Sequence, residues 1–284
     1  MTVSKFLQSK KTIEKKIEME GVGVHSGQNV KLTLKPSDLG RIEFFRKDRE
    51  EARIELDPRK IETNFSTVLL DRGVKIQTIE HLLAVLYVFG LDSLRIELDG
   101  REIPIMDGSA LPFVQAIEGA GIRNLSQQKR LMRIAKPFHI EEGGASVGAA
   151  PQAEFRISYR IAYDHPAIGE QELSLAINRD TFVQEIAPAR TFGFLDDVPA
   201  LREQGMALGG SFENSLVLDE KRLINGPLRF QDEFVRHKVL DFLGDLSLLG
   251  SPLAGHFQGD RAGHSLHHAC VLHLLDHPDH WAFD

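Results

Sequence analysis

Residues 237–241 read His-Lys-Val-Leu-Asp, which sets an imidazole and a carboxylate four positions apart. On a helix this spacing puts both on one face, where they can reach a single point. Metal ligands share that spacing with ordinary solvated helix faces. Asp245 continues the stripe one turn later, and Phe234, Leu243 and Leu246 predict a buried helix, in which unpaired charges are costly. Glu80-His81 supplies a complement, because the first turn of a helix can aim consecutive side chains into a cleft. Two His and one Asp would leave a fourth coordination position open, the pattern of a catalytic zinc site. The competing reading is that Glu80 complements the helix dipole while His81 packs under Tyr87 or Phe89. His264 and His268, also four apart with His267 between them, form a rival ligand set, and spacing does not choose. His264 follows Gly263 at an expected helix start, where an imidazole held by a carboxylate such as Asp245 can act as a general acid. His273, His277 and His280 lie in a polar tail with Pro278 and Asp279 and are read as surface residues.

Three further segments invite functional readings. Residues 21–27 (GVGVHSG) lack both the lysine of a phosphate-binding loop and the spacing of a dinucleotide fingerprint, so phosphate cradling is unsupported there. Arg190-Thr191-Phe192-Gly193-Phe194 groups a guanidinium, a hydroxyl and aromatic rings. It could polarise an oxyanion and stack a ring, or simply form a buried turn. Gly209-Gly210-Ser211 suggests a close backbone approach, of a ligand or of another strand.

The elements that must position these residues follow from periodicity. Residues 31–35 (KLTLK), Ile42–Arg46, residues 66–70 and Leu94–Leu98 have strand composition, and residues 103–105 add a shorter candidate. Residues 78–89 predict a helix with Thr78 as its cap and Gly90 as its stop. Residues 111–119 have helical spacing. After a polar link at residues 124–130, Phe155, Ile157, Tyr159 and Ile161 alternate as a half-buried strand, as do Leu173 and Leu175. Residues 180–187, 234–249 and 263–275 then predict helices, the second being the strongest in the chain. Strands precede helices in both halves, which predicts two similar α+β layers packed together, divided as residues 1–126 and 127–284. No repeat is visible residue by residue.

Composition narrows the class. A chain of 284 residues with 42% hydrophobic and 26% charged residues can bury a sizeable core. Cys270 is the only cysteine, which excludes an internal disulfide and a cysteine-based zinc site. The formal charge of -7, without a basic stripe interleaved with aromatics, argues against nucleic-acid binding. Residues 1–16 carry lysines without the apolar run of a secretory signal, and residues 82–89 are too short to span a bilayer. A cytoplasmic monomer is expected.

Read together, these segments resemble the UDP-3-O-acyl-N-acetylglucosamine deacetylases of Gram-negative bacteria. The resemblance runs from GVGVHSG through TIEHLLA, EIPIMDGSA, ARTFGF, GGSFENSLVLD and RFQDEFVRHKVLDFLGDL to GHFQGDRAGHSLHH. Several motifs in this order cover nearly the whole chain. The resemblance implies an α+β fold of two similar domains, with helices sandwiched between two β-sheets and a small insert in each domain. It implies that His81, His237 and Asp241 bind Zn2+, that Glu80 is the general base, and that His264 is the general acid with Asp245 supporting it. Thr191 would help stabilise the tetrahedral intermediate, and Lys238 would take part in both catalysis and substrate binding. Phe192, Gly210, Ser211 and Val217 would contact substrate, and an insert at about residues 195–220 would pass the acyl chain. The implied reaction is zinc-dependent removal of the N-acetyl group from a UDP-linked, O-acylated glucosamine, with release of acetate, the committed step of lipid A synthesis. At this length no fused dehydratase domain is expected. One departure from the family is GHSLHH, whose extra imidazoles at His267 and His268 offer a second, inhibitory zinc contact. The alternatives are a zinc deacetylase of another acylated amino sugar and a non-catalytic lipid-precursor binding protein.

Overall fold

Alternating burial builds the first sheet. Val30, Leu32 and Leu34 point inward from Asn29–Pro36, and Leu94, Ile96 and Leu98 do so from its neighbour. The strand order is Ile17–Val22, Asn29–Pro36, Leu94–Leu98, Ile42–Arg46, Ala52–Glu55, with only Ile42–Arg46 parallel to Leu94–Leu98. The computed structural model describes residues 7–63 and 65–284. Residues 1–6, part of the stretch read as lacking a signal, lie outside the described residues.

A second, mixed sheet of seven strands forms around Leu253–Asp260, which is antiparallel to Ala145–Ala150 and parallel to Phe155–Ala162 and Met132–Ile134. Phe155, Ile157, Tyr159 and Ile161 alternate inward as their spacing predicted. The longer helices, α1 (Glu80–Phe89), α2 (Leu111–Ala120), α5 (Glu233–Leu246) and α6 (His264–Asp276), lie between the sheets, and two short ones are the single turn α3 (Arg179–Thr181) and α4 (Val198–Glu203). Helix α2 packs on Ile17–Val22 of the first sheet, and α1 packs on α2 and α5. Helices α5 and α6 pack on each other and on strands of the second sheet. Helix α1 is buried on nearly every side, as its unbroken apolar run requires. Two small insertions complete the α+β fold. One is the three-stranded unit Ile61–Thr63, Thr67–Asp71 and Val74–Ile76, and the other is α4 with the parallel pair Phe192–Phe194 and Leu216–Leu218. Among the described residues, no helix is long and apolar enough to cross a membrane.

Several local expectations are corrected. The polar link at residues 124–130 belongs to strand Ile122–Arg130, paired antiparallel with Leu7–Ile13, and the division at 126/127 falls inside it. Thr78 does not cap α1: the cap position is Ile79, and Thr78 takes a left-handed φ of 57° so that its hydroxyl can donate to Glu102 at 2.9 Å. Residues 103–105 form no strand, because Glu102 makes only an isolated bridge with Gln77. The helix expected at residues 180–187 is the single turn α3 followed by a π-helical turn, Phe182–Ile186.

Candidate active site

Helix α5 carries His237, Lys238, Asp241 and Asp245 and packs against α1, at whose start Glu80 and His81 emerge. The helices can cross this closely because residue 244 is glycine: a Cβ there would lie 2.3 Å from the Glu80 carbonyl oxygen. His81 Nε2 then stands 3.6 Å, and His237 Nε2 3.4 Å, from Asp241 Oδ1. All three side chains are buried. His237 Nδ1–H donates to the Ala189 carbonyl at 3.1 Å, which leaves the Nε2 lone pair facing the carboxylate. Burial pulls the His237 pKa down to about 4, so a proton does not fill that gap. Burial opposes the charge of Asp241, yet the facing His237 and Lys238 hold its carboxyl well below the usual range. Lys238 Nζ sits 3.0 Å from Asp241 Oδ2. Opposed buried lone pairs repel unless a cation stands between them, and the remaining ring nitrogen of His81, Nδ1, has no hydrogen-bond partner. Two imidazoles and a carboxylate whose ligand atoms lie within 4.8 Å of one another fit a zinc ion.

Two titratable groups flank this cluster. Glu80 is buried, and burial raises its pKa to about 7 against the opposing pull of His264 and His81. Its Oε2 accepts the Thr67 backbone N–H at 3.0 Å, and its Oε1 lies 3.9 Å from His264 Nε2. Burial disfavours a charged His264, but the Asp245 carboxylate, 2.8 Å from Nδ1, outweighs it and lifts the imidazole to about 9. Asp245 is itself depressed to about 2, its burial overcome by His264 and His267. A carboxylate poised near neutrality beside an imidazolium is the pairing that acid–base catalysis uses.

These groups open into a cleft of about 840 Å³, within the range of small-molecule sites. Thr191, Phe192, Gly210, Ser211 and Val217 line it with the cluster, as do Phe194, Leu195, Leu201 and Phe212 from the second insert. Phe192 sits edge-on to Phe234 at 5.0 Å and receives Lys238 Nζ over its ring at 5.6 Å. Leu195, Leu208, Phe212 and Phe65 are exposed large apolar residues, three of them on the cleft wall, which suits a ligand with an apolar tail.

Other candidates resolve differently. Arg190, considered for oxyanion stabilisation, turns away and donates to Glu233 at 2.8 and 3.1 Å. His268 Nε2 donates to the Pro58 carbonyl at 2.8 Å, and both ring nitrogens of His267 are hydrogen-bonded, although Asp245, His264 and His267 also bring ligand atoms within 4.8 Å of one another. The GVGVHSG segment wraps a buried carboxylate rather than a phosphate: His25 and Ser26 donate their backbone N–H groups to Glu102 at 2.9 and 2.7 Å. Gly209 serves the approach of another backbone, since a Cβ there would meet the Gly23 carbonyl oxygen at 2.3 Å. Sequence reasoning missed Thr67, whose hydroxyl donates to Asp245, and His25, which lines the cleft with its Nδ1 unpartnered. His25, inside the glycine-rich GVGVHSG run, was visible in the sequence, whereas nothing near Thr67 pointed to Asp245.

Residues 10–276 match the family model described as LpxC, UDP-3-O-acyl N-acetylglycosamine deacetylase. The chain is similar to the UDP-3-O-acyl-N-acetylglucosamine deacetylase of Thermodesulfovibrio yellowstonii, with 49% identity over 94% of this chain and 91% of that protein. Proteins of the same name from Nautilia profundicola (93% of this chain, 91% of that protein) and Acidithiobacillus ferrooxidans (96% and 92%) are each 44% identical.

Proposed function

The chain belongs to the UDP-3-O-acyl-N-acetylglycosamine deacetylase family, and on that premise we propose that its cleft hydrolyses the acetamide of a UDP-linked, 3-O-acylated N-acetylglucosamine with the help of zinc. The observation that carries this reading is the convergence of His81, His237 and Asp241 beside Glu80 and His264, at the wall of an apolar cleft. His81, His237 and Asp241 would hold the ion. When bound, zinc supplies Lewis acidity toward the amide carbonyl and toward water.

The remaining work falls to the chain. Glu80 takes a proton from the attacking water as the C–O bond forms. The Thr191 hydroxyl donates toward the oxygen on which negative charge develops. His264, kept protonated by Asp245, delivers its proton to the amide nitrogen as the C–N bond breaks, so that acetate and a free amine leave. Lys238 keeps Asp241 ionised and presents a positive charge beside Phe192, where a sugar diphosphate can lie. Gly210, Ser211 and Val217 lie along the route for the acyl chain through residues 195–220.

Acetate release from the UDP-linked substrate should stop on chelation and return with added zinc. Glu80→Gln and His264→Ala should each lower kcat by about 10²- to 10⁴-fold with the fold intact. Activity untouched by chelation would overturn the metal assignment, and near wild-type turnover by either variant would overturn that residue's role.

A further inference from the structure

Behind the acid His264, a chain of hydrogen bonds runs into the second sheet. Asp245 Oδ2 lies 2.8 Å from His264 Nδ1 and also 2.8 Å from Nδ1 of His267, which is completely buried. His267 Nε2 lies 2.7 Å from the Tyr159 hydroxyl, and that hydroxyl is also 2.7 Å from the Ala262 carbonyl. Tyr159 is also buried and belongs to Phe155–Ala162 of the second sheet.

Donor counting fixes the Asp245 end of the chain. A carboxylate can only accept, so both imidazoles must place a proton on Nδ1 toward Asp245. Burial pulls His267 below its ordinary pKa, and Tyr159, whose single O–H is donated to the Ala262 carbonyl, keeps its oxygen 2.7 Å from Nε2 of His267. The Thr67 hydroxyl takes Asp245 Oδ1, so both carboxylate oxygens are occupied. A carboxylate held by three donors cannot swing, and His264 inherits its orientation with Nε2 directed toward Glu80 and Asp241.

We propose that His267 is a positioning residue for the deacetylation: through Asp245 it locks the ring of His264 in the tautomer and direction needed to protonate the leaving amine, with Tyr159 bracing it from the second sheet. This rests on the acid role of His264 given above. A purely structural reading would make His267 a packed core residue whose loss affects stability alone. The two readings differ in kinetics.

The test compares His267→Leu, His267→Asn and Tyr159→Phe, measured as acetate release from the UDP-linked substrate, with zinc content and thermal midpoint recorded. Leucine fills nearly the same volume and leaves Tyr159 on the Ala262 carbonyl and Asp245 on Thr67 and His264, so the fold is expected to survive. His267→Leu should lower kcat by about 10- to 100-fold, as loss of a supporting hydrogen bond commonly does, with KM and bound zinc unchanged. Asparagine retains an N–H donor in reach of Asp245 and should recover most of the loss, and Tyr159→Phe should cost only a few-fold. In a His264→Ala background, His267→Leu should have no further effect. The proposal is overturned if His267→Leu keeps wild-type kcat, if asparagine fails to rescue, or if the loss persists without His264. If the leucine variant does not fold, Tyr159→Phe decides: an unchanged kcat there would overturn the proposal equally. High activity in His264→Ala alone would instead defeat the acid assignment, a separate outcome.

Discussion

Thr67 meets the site twice: its backbone N–H holds Glu80 and its hydroxyl holds Asp245, so one residue sets the distance between the proposed base and the support of the proposed acid. Hydrogen bonds to buried charges are worth about 1.5–3 kcal/mol. Thr67→Val keeps the shape and the backbone bond but removes the hydroxyl. It should lower stability in urea by about 2 kcal/mol and reduce kcat while leaving KM and zinc content alone; unchanged kcat would show that Asp245 does not need this second anchor. The sequence could not reveal the contact, since the two residues lie 178 positions apart. It could reveal His237 and Asp241, because a helix turns any four-residue spacing into a shared face. Spacing alone left His81 and His268 as equal candidates for the third ligand. Resemblance implied His81, while His268 Nε2 lies 2.8 Å from the Pro58 carbonyl.

At the scale of elements, the site depends on how closely α1 and α5 cross. Gly244 is the point of contact, and the atom it meets is the backbone of Glu80 itself. Gly244→Ala would gain about 1 kcal/mol of helix propensity, yet a methyl group 2.3 Å from a carbonyl oxygen must push the helices apart. A displacement of about 1 Å can cost roughly 100-fold in rate. The expected result is a folded protein with kcat down about 100-fold and weakened zinc binding; wild-type kinetics would mean that α1 does not need this crossing. Elements with strong periodicity were legible in the sequence, α5 and Phe155–Ala162 above all. Ile122–Arg130 was not, because it pairs only with Leu7–Ile13 and leaves most of its side chains exposed, which makes its polar run look like a linker. Thr78 misled for a different reason: its position before α1 fits a cap, but the buried Glu102 carboxylate claims its hydroxyl.

Across the whole molecule, the proposed metal site joins the two halves of the chain. His81 comes from α1 beside the first insert, whereas His237 and Asp241 come from α5, which packs on the second sheet. The core runs continuously from Leu32 and Phe44 through α1 and α5 to Tyr159 and Phe257, so the fold is expected to form without the ion. Zinc binds a geometry that only the folded protein offers, and linkage then requires it to stabilise that state. At zinc about 1,000-fold above its dissociation constant the gain is about 4 kcal/mol. For a chain of this size that corresponds to roughly 8–16 °C in Tm. Chelated protein should therefore retain its secondary structure by circular dichroism and unfold at a lower temperature, with the difference restored by zinc. In His237→Ala the buried carboxylate and His81 remain, but the third ligand does not, and zinc should leave the midpoint nearly unmoved. A full zinc shift in that variant would place the ion elsewhere and separate it from the α1–α5 crossing altogether.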